Sequence, residues 1–143
     1  MTRHASPRFE HFSHEADVGV RGRGESLAEA LSGAARALTA VVTDPDTVRE
    51  ETSIAITCEA GDPEVLLFDW LNAVIYEMAT RHLLFARYEV TVGEGGLAAR
   101  AFGEPVDVGR HRPAVEVKGA TWTSLRVAHE EDGSWVAECV VDV

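Results

Sequence analysis

Among its 143 residues the chain has two cysteines, one lysine, five prolines and no uninterrupted apolar run longer than four residues. Each scarcity excludes something. Cys58 and Cys139 stand far apart in apolar-alternating runs, so they read as buried strand residues, not as a disulfide framework or a metal-thiolate site. A reduced, cytoplasmic setting is expected. The short apolar runs leave nothing to cross a bilayer as a helix. The first ten residues are polar and interrupted by Pro7, with no apolar targeting core. Twelve glycines and five prolines are too few for collagen or low-complexity classes. Positive charge is also scarce: 13 basic against 24 acidic residues leave a net charge of -11. Such a chain repels phosphate backbones, so neither DNA nor RNA is expected as a direct partner. A positively charged protein surface suits it better. Twelve of the basic residues are arginine, which isolates Lys118.

The catalytic motifs that stand out in sequence are missing as well. Gly22-Arg23-Gly24 and Gly93-Glu94-Gly95-Gly96 lack the lysine of a phosphate loop and the spacing of a dinucleotide fingerprint, and read as turns. No nucleophile elbow or paired-histidine zinc motif occurs. His11 and His14 fall on opposite faces of an extended strand, so they cannot share an ion.

What is present is one domain's worth of patterned sequence, 45% hydrophobic, spanning residues 1–143 with a loose segment expected over 1–8. Arg8–His14 and Val18–Gly24 read as strands. Ser26 and Glu29 form a capping box before an apolar stripe running from Leu27 to Val42. Ile54, Ile56 and Cys58 alternate as a strand. Asp62-Pro63-Glu64 opens a second helix with its stripe on Leu67, Trp70, Leu71, Val74, Ile75 and Met78. Tyr88–Val92 and Leu97–Ala101 read as a hairpin, and Pro105–Pro113 as a polar loop. Ala114–Ala128 and Ser134–Val143 read as closing strands around the Asp132-Gly133 turn. The order ββαβαββββ predicts an α+β, two-layer single domain with a mostly antiparallel sheet and two helices.

A few polar groups invite a chemical reading. Asp142 and Val143, at the end of a strand, would make a hard-oxygen corner if a third carboxylate came near, with Asp17 one candidate. A solvated acid is the plainer reading of the same residue. In Glu116-Val117-Lys118-Gly119-Ala120-Thr121-Trp122, period two puts Glu116, Lys118, Ala120 and Trp122 on one face. Alone, that describes a surface lysine on an edge. His14, like Asp69, reads as a structural group.

Five segments together are more specific. His14-Glu15-Ala16-Asp17-Val18-Gly19, Asp69-Trp70-Leu71-Asn72, Gly103-Glu104-Pro105 with Asp107 and His111, Glu116-Val117-Lys118-Gly119-Ala120-Thr121, and Val141-Asp142-Val143 resemble the archease family in order and spacing. The resemblance runs from about Phe9 to Val143 and implies an α+β fold of the strand-helix-strand-strand kind. It implies a protein cofactor with no catalytic residues of its own, in place of an enzyme. Its partner would be an RtcB-type RNA ligase, which joins 3′-phosphate or 2′,3′-cyclic-phosphate ends to 5′-hydroxyl ends in tRNA splicing or RNA repair. GTP and Mn²⁺ belong to that ligase, whose guanylylation and multiple turnover the archease promotes; tRNA or other RNA is met only indirectly. The family's cation site, for Ca²⁺ or Mg²⁺, carries over onto Asp17, Asp142 and a main-chain oxygen of Val143, and its functional lysine onto Lys118. His14 and Glu15 are candidate outer residues of that site, Glu15 standing where the family commonly has threonine. The alternative is a chaperone-like modulator of another RNA-processing enzyme, such as a tRNA methyltransferase.

Overall fold

Both long helices begin where their caps were read. In the structure, a computed structural model, residues 8–14 and 17–143 are described, the side chains of Ser13 and His14 excepted. Most of the segment expected to be loose, 1–7, lies outside them. Ser26 Oγ accepts from the Glu29 amide at 3.1 Å, and the Glu29 carboxylate reaches back to the Glu25 amide, starting α1 (Leu27–Val42). Asp62 Oδ1 accepts from the Glu64 and Val65 amides, with Pro63 in the first turn of α2 (Pro63–Arg81). His82 ends α2 in the left-handed region, φ 54°, its amide bonded to the Met78 carbonyl.

The strands are β1 (Arg8–His14), β2 (Asp17–Gly24), β3 (Thr52–Glu59), β4 (Leu83–Gly93), β5 (Gly96–Pro105), β6 (Gly119–Ala120), β7 (Arg126–His129) and β8 (Trp135–Asp142). All pairings are antiparallel. The α+β class and antiparallel character agree with the sequence reading. The strands divide between two sheets, however: a five-stranded one ordered β1-β2-β8-β6, with β7 also on β8, and a three-stranded one ordered β3-β5-β4.

Helix α1 packs against β2 and β8 of the first sheet and β4 of the second. Its approach to β2 is close enough to require glycine: a Cβ on Gly22 would lie 2.1 Å from the Ala30 carbonyl oxygen and 2.2 Å from the Ala34 nitrogen. Neither is a side chain that can swing aside. Gly22→Ala is therefore expected to cost about 1–3 kcal/mol, the usual range for overpacking, read as a lower urea midpoint at unchanged slope. Across the interior, the fully buried Trp70 of α2 donates its indole N–H to the Leu31 carbonyl at 2.9 Å and meets Tyr88 edge-on. The Tyr88 hydroxyl is 2.8 Å from Thr39 Oγ1. Two helices and β4 thus meet at one polar-satisfied point of an apolar core.

Two expectations need correction. The Pro105–Pro113 loop contains a short helix, α3 (Val108–His111), capped by Asp107, whose Oδ1 accepts from the Arg110 amide. And Ala114–Ala128 is not one strand. Residues 112–118 are irregular, β6 spans two residues, and the chain kinks before β7. Pro113 has no amide to donate to a ladder. Thr121 Oγ1 bonds both the Val140 carbonyl and the Thr123 amide, competing with backbone pairing. Ser124 then takes a left-handed conformation, φ 53°.

Candidate functional site

The strand register assembles the site. His14 pairs with Asp17 between β1 and β2, Val18 with Val141 between β2 and β8, and Gly119 with Asp142 between β6 and β8. One position beyond the last β2–β8 pair, Asp17 stands across from Asp142. His14, Asp17, Asp142 and Gly119 therefore form one row across four strands at one end of the sheet. Asp17 and Asp142, directly opposed, point to the same face with Cβ atoms about 4.5–5.5 Å apart. By period two this face is the one turned away from α1, since Val20 and Gly22 face the helix.

Lys118 enters at the same end. Its backbone amide donates to the Asp142 carbonyl at 2.8 Å, and its side chain is exposed. The next segment is fixed to α2 by Asn72, whose Oδ1 accepts from the Ala120 amide at 3.0 Å. Sequence reasoning gave Asn72 no role. Its signal in the sequence is its place in the Asp69-Trp70-Leu71-Asn72 segment that carries the family resemblance.

Elsewhere on the outer face several charges are paired. Arg21 bridges Glu10 and Glu138, Arg126 bridges Glu138 and Glu130, and Arg23 bonds Glu10. Among the described residues neither Asp17 nor Asp142 joins an ion pair, though like charges directly opposed across strands repel. Two facing carboxylates without a cationic side chain between them suit a hard cation, and oxygen donors favour Ca²⁺ or Mg²⁺ over zinc. No group of three or more His, Cys, Asp or Glu side chains gathers among the described residues; among them the strand register brings two carboxylates together, Asp17 and Asp142. A main-chain oxygen of Val143 would supply a third donor. The His14 side chain and all of Glu15 lie outside the described residues.

The thiols stay out of this chemistry. Burial pushes the Cys139 thiol up to about 11 and raises Cys58 as well, with the Asp69 charge adding to the latter. Both are free and buried.

A second polar cluster closes the β5–α3 corner. Glu104 is only 3% exposed and accepts from Arg110 Nη2 at 2.5 Å, the Arg49 amide at 2.7 Å and His111 Nε2 at 2.9 Å. The Asp107 amide donates to His111 Nδ1, so that nitrogen accepts and Nε2 carries the donated proton. Thr43 Oγ1 donates to the His111 carbonyl, tying the corner to the end of α1. Arg110 foremost, then the Arg49 amide and His111, hold the Glu104 carboxyl down at about 2 against its desolvation. The residues of the Gly103-Glu104-Pro105, Asp107 and His111 pattern thus share one hydrogen-bonded knot.

The chain is similar to known proteins over most of its length. A model of the Archease protein family matches residues 9–143. Protein archease of Methanopyrus kandleri is 38% identical over 139 residues, covering 94% of this chain and 99% of that one. Protein archease of Pyrococcus furiosus is 33% identical over 140 residues, covering 95% and 99%. The solution structure of Methanobacterium thermoautotrophicum protein 1598 superposes with a TM-score of 0.83 at 29% identity, covering 94% of this chain and 98% of its own. With its sequence matched nearly end to end and its fold shared, this chain belongs to the archease family.

Proposed function

We propose that the chain activates an RtcB-type RNA ligase, promoting the ligase's guanylylation and its repeated turnover on 3′-phosphate and 5′-hydroxyl RNA ends. The observation that carries this reading is the convergence of Asp17, Asp142 and the backbone of Lys118 at one sheet end, from segments distant in sequence. A net charge of -11 supports docking on a basic surface such as an RNA-binding enzyme presents. RNA then meets this protein only through the ligase.

The carboxylates of Asp17 and Asp142, with a main-chain oxygen of Val143, would hold a divalent cation, Ca²⁺ or Mg²⁺. A bound cation supplies concentrated positive charge that can orient phosphate oxygens. The two aspartates would put that charge at the rim of the sheet, and Lys118, whose amide bonds the Asp142 carbonyl at the same end, would add a point charge suited to a phosphate or a ligase carboxylate.

The test is a ligation assay with catalytic ligase, GTP, Mn²⁺ and excess RNA bearing a 3′-phosphate, with and without this protein. Multiple turnover only in its presence is expected. Turnover unchanged by the protein would refute the reading and favour another RNA-processing partner. Binding of the cation has its own readout. At a cation concentration a hundred times the Kd, the folded state gains about 2.7 kcal/mol, so melting should rise with Ca²⁺ or Mg²⁺ and fall back with chelator.

A further inference from the structure

Helix α2 and the segment entering β6 run side by side along a ladder of contacts. Phe68 stacks on Trp122 with ring centroids 4.0 Å apart and planes 9° from parallel. Asn72 bonds the Ala120 amide. Further along, Ile75, Met78 and Ala79 line a groove of about 340 Å³ together with Glu116 and Val117. Four helical residues rise about 6 Å and two extended residues about 6.6 Å. Steps of four up α2 therefore match steps of two back along the partner segment. One further step from Asn72–Ala120 gives the next rung, Tyr76 level with Lys118, whose amide still bonds β8 at the Asp142 carbonyl.

This rung is open. Tyr76 is 64% exposed and Trp122 62%, although the indole already covers Phe68 on one side. Large aromatics this exposed are unusual away from binding surfaces, and here they flank the lysine of the candidate site. Resting on the function proposed above, we propose that Tyr76 and Trp122 form a docking surface for the ligase protein itself, seating arginine and aliphatic side chains of its basic face. Two features choose this occupant. The chain's strong negative charge disfavours a nucleic-acid strand on the same aromatics, and attracts a cationic protein surface. An exposed indole and phenol are also good platforms for guanidinium groups. The patch is continuous with Lys118, so a partner held there is held at the site.

The experiment titrates the wild-type protein and its Tyr76→Ala, Trp122→Ala and Trp122→Leu variants into the ligation assay. Leucine keeps Phe68 covered, should alanine at 122 disturb the fold, and thermal unfolding checks each variant. Half-maximal activation is expected to need about 10–100-fold more variant protein, at an undiminished plateau. Unchanged half-maximal concentrations, with the wild type active, would overturn the docking surface while leaving the activator reading intact. So would a lowered plateau at unchanged concentration, or quenching by single-stranded RNA alone of the part of the wild-type tryptophan fluorescence that Trp122→Leu removes. An inactive wild type would remove both.

Discussion

Lys118→Ala, Asp17→Asn and Asp142→Asn are each expected to reduce ligase turnover about a hundredfold at saturating protein, without unfolding it. The scale is that of removing one charged contact from a reacting phosphate site or one partner of a metal site. All three side chains sit at the sheet rim, outside the core cluster of buried residues. The two asparagine variants carry a further signature. Facing carboxylates repel by a few tenths to about 1 kcal/mol, so in chelator each Asn variant should melt at or above the wild-type temperature. With Ca²⁺ or Mg²⁺ the order reverses, because only the wild type gains from the cation. Lys118→Ala should keep the cation-dependent rise in melting and lose activation alone. Three variants that activate fully would sink the site assignment, whereas a cation effect surviving in both Asn variants would remove the cation and spare the lysine.

Glu104→Ala is expected to be the most damaging single change to stability, at about 3–5 kcal/mol, because it leaves buried hydrogen-bonding partners without their acceptor. Glu104→Gln separates charge from volume through pH. The folded carboxyl titrates at about 2, below its ordinary 4.5. Its ionised form therefore contributes stability that is complete above the unfolded value and lost as pH falls through 4.5 toward 2. The difference corresponds to about 3 kcal/mol. Urea unfolding at pH 7 and near pH 2.5 should show the wild type losing more stability than Glu104→Gln between the two conditions. Equal losses would show that the carboxylate's charge is not what the corner uses.

Local features were legible in the sequence because their physics is local. Ser26, Glu29, Asp62 and Pro63 act within one helical turn, and the stripe through Trp70 and Val74 needs only the helical period. Features that depended on distant partners were not. Most of the Glu104–His111 knot lies in the Pro105–Pro113 stretch that reads as polar loop, since a charged residue ordinarily signals solvent, and only Arg49, Arg110 and His111 meeting Glu104 make its burial tolerable. The break in Ala114–Ala128 escaped for a related reason: the hydroxyl of Thr121 competes with a ladder whose other side is β8. Asp17 and Asp142 could be named as separate acids, and resemblance joined them on paper. Nothing in their spacing did.

The opening scarcities keep their meaning within these limits. Few thiols, both buried, leave no nucleophilic or zinc chemistry to them, and the excess of acids suits the basic partner surface proposed above. Helix positions, capping and the antiparallel α+β character were likewise determined by the sequence, through short-range hydrogen bonds and periodic burial. The tertiary structure alone decided that β8 lies between β2 and β6, which sets Asp17 across from Asp142 and Lys118 beside them. It also laid α2 along that segment, level with the lysine. Strand order depends on which surfaces α1 and α2 can cover together, as at Gly22 and Asn72, and that is a property of the packed chain rather than of any window within it.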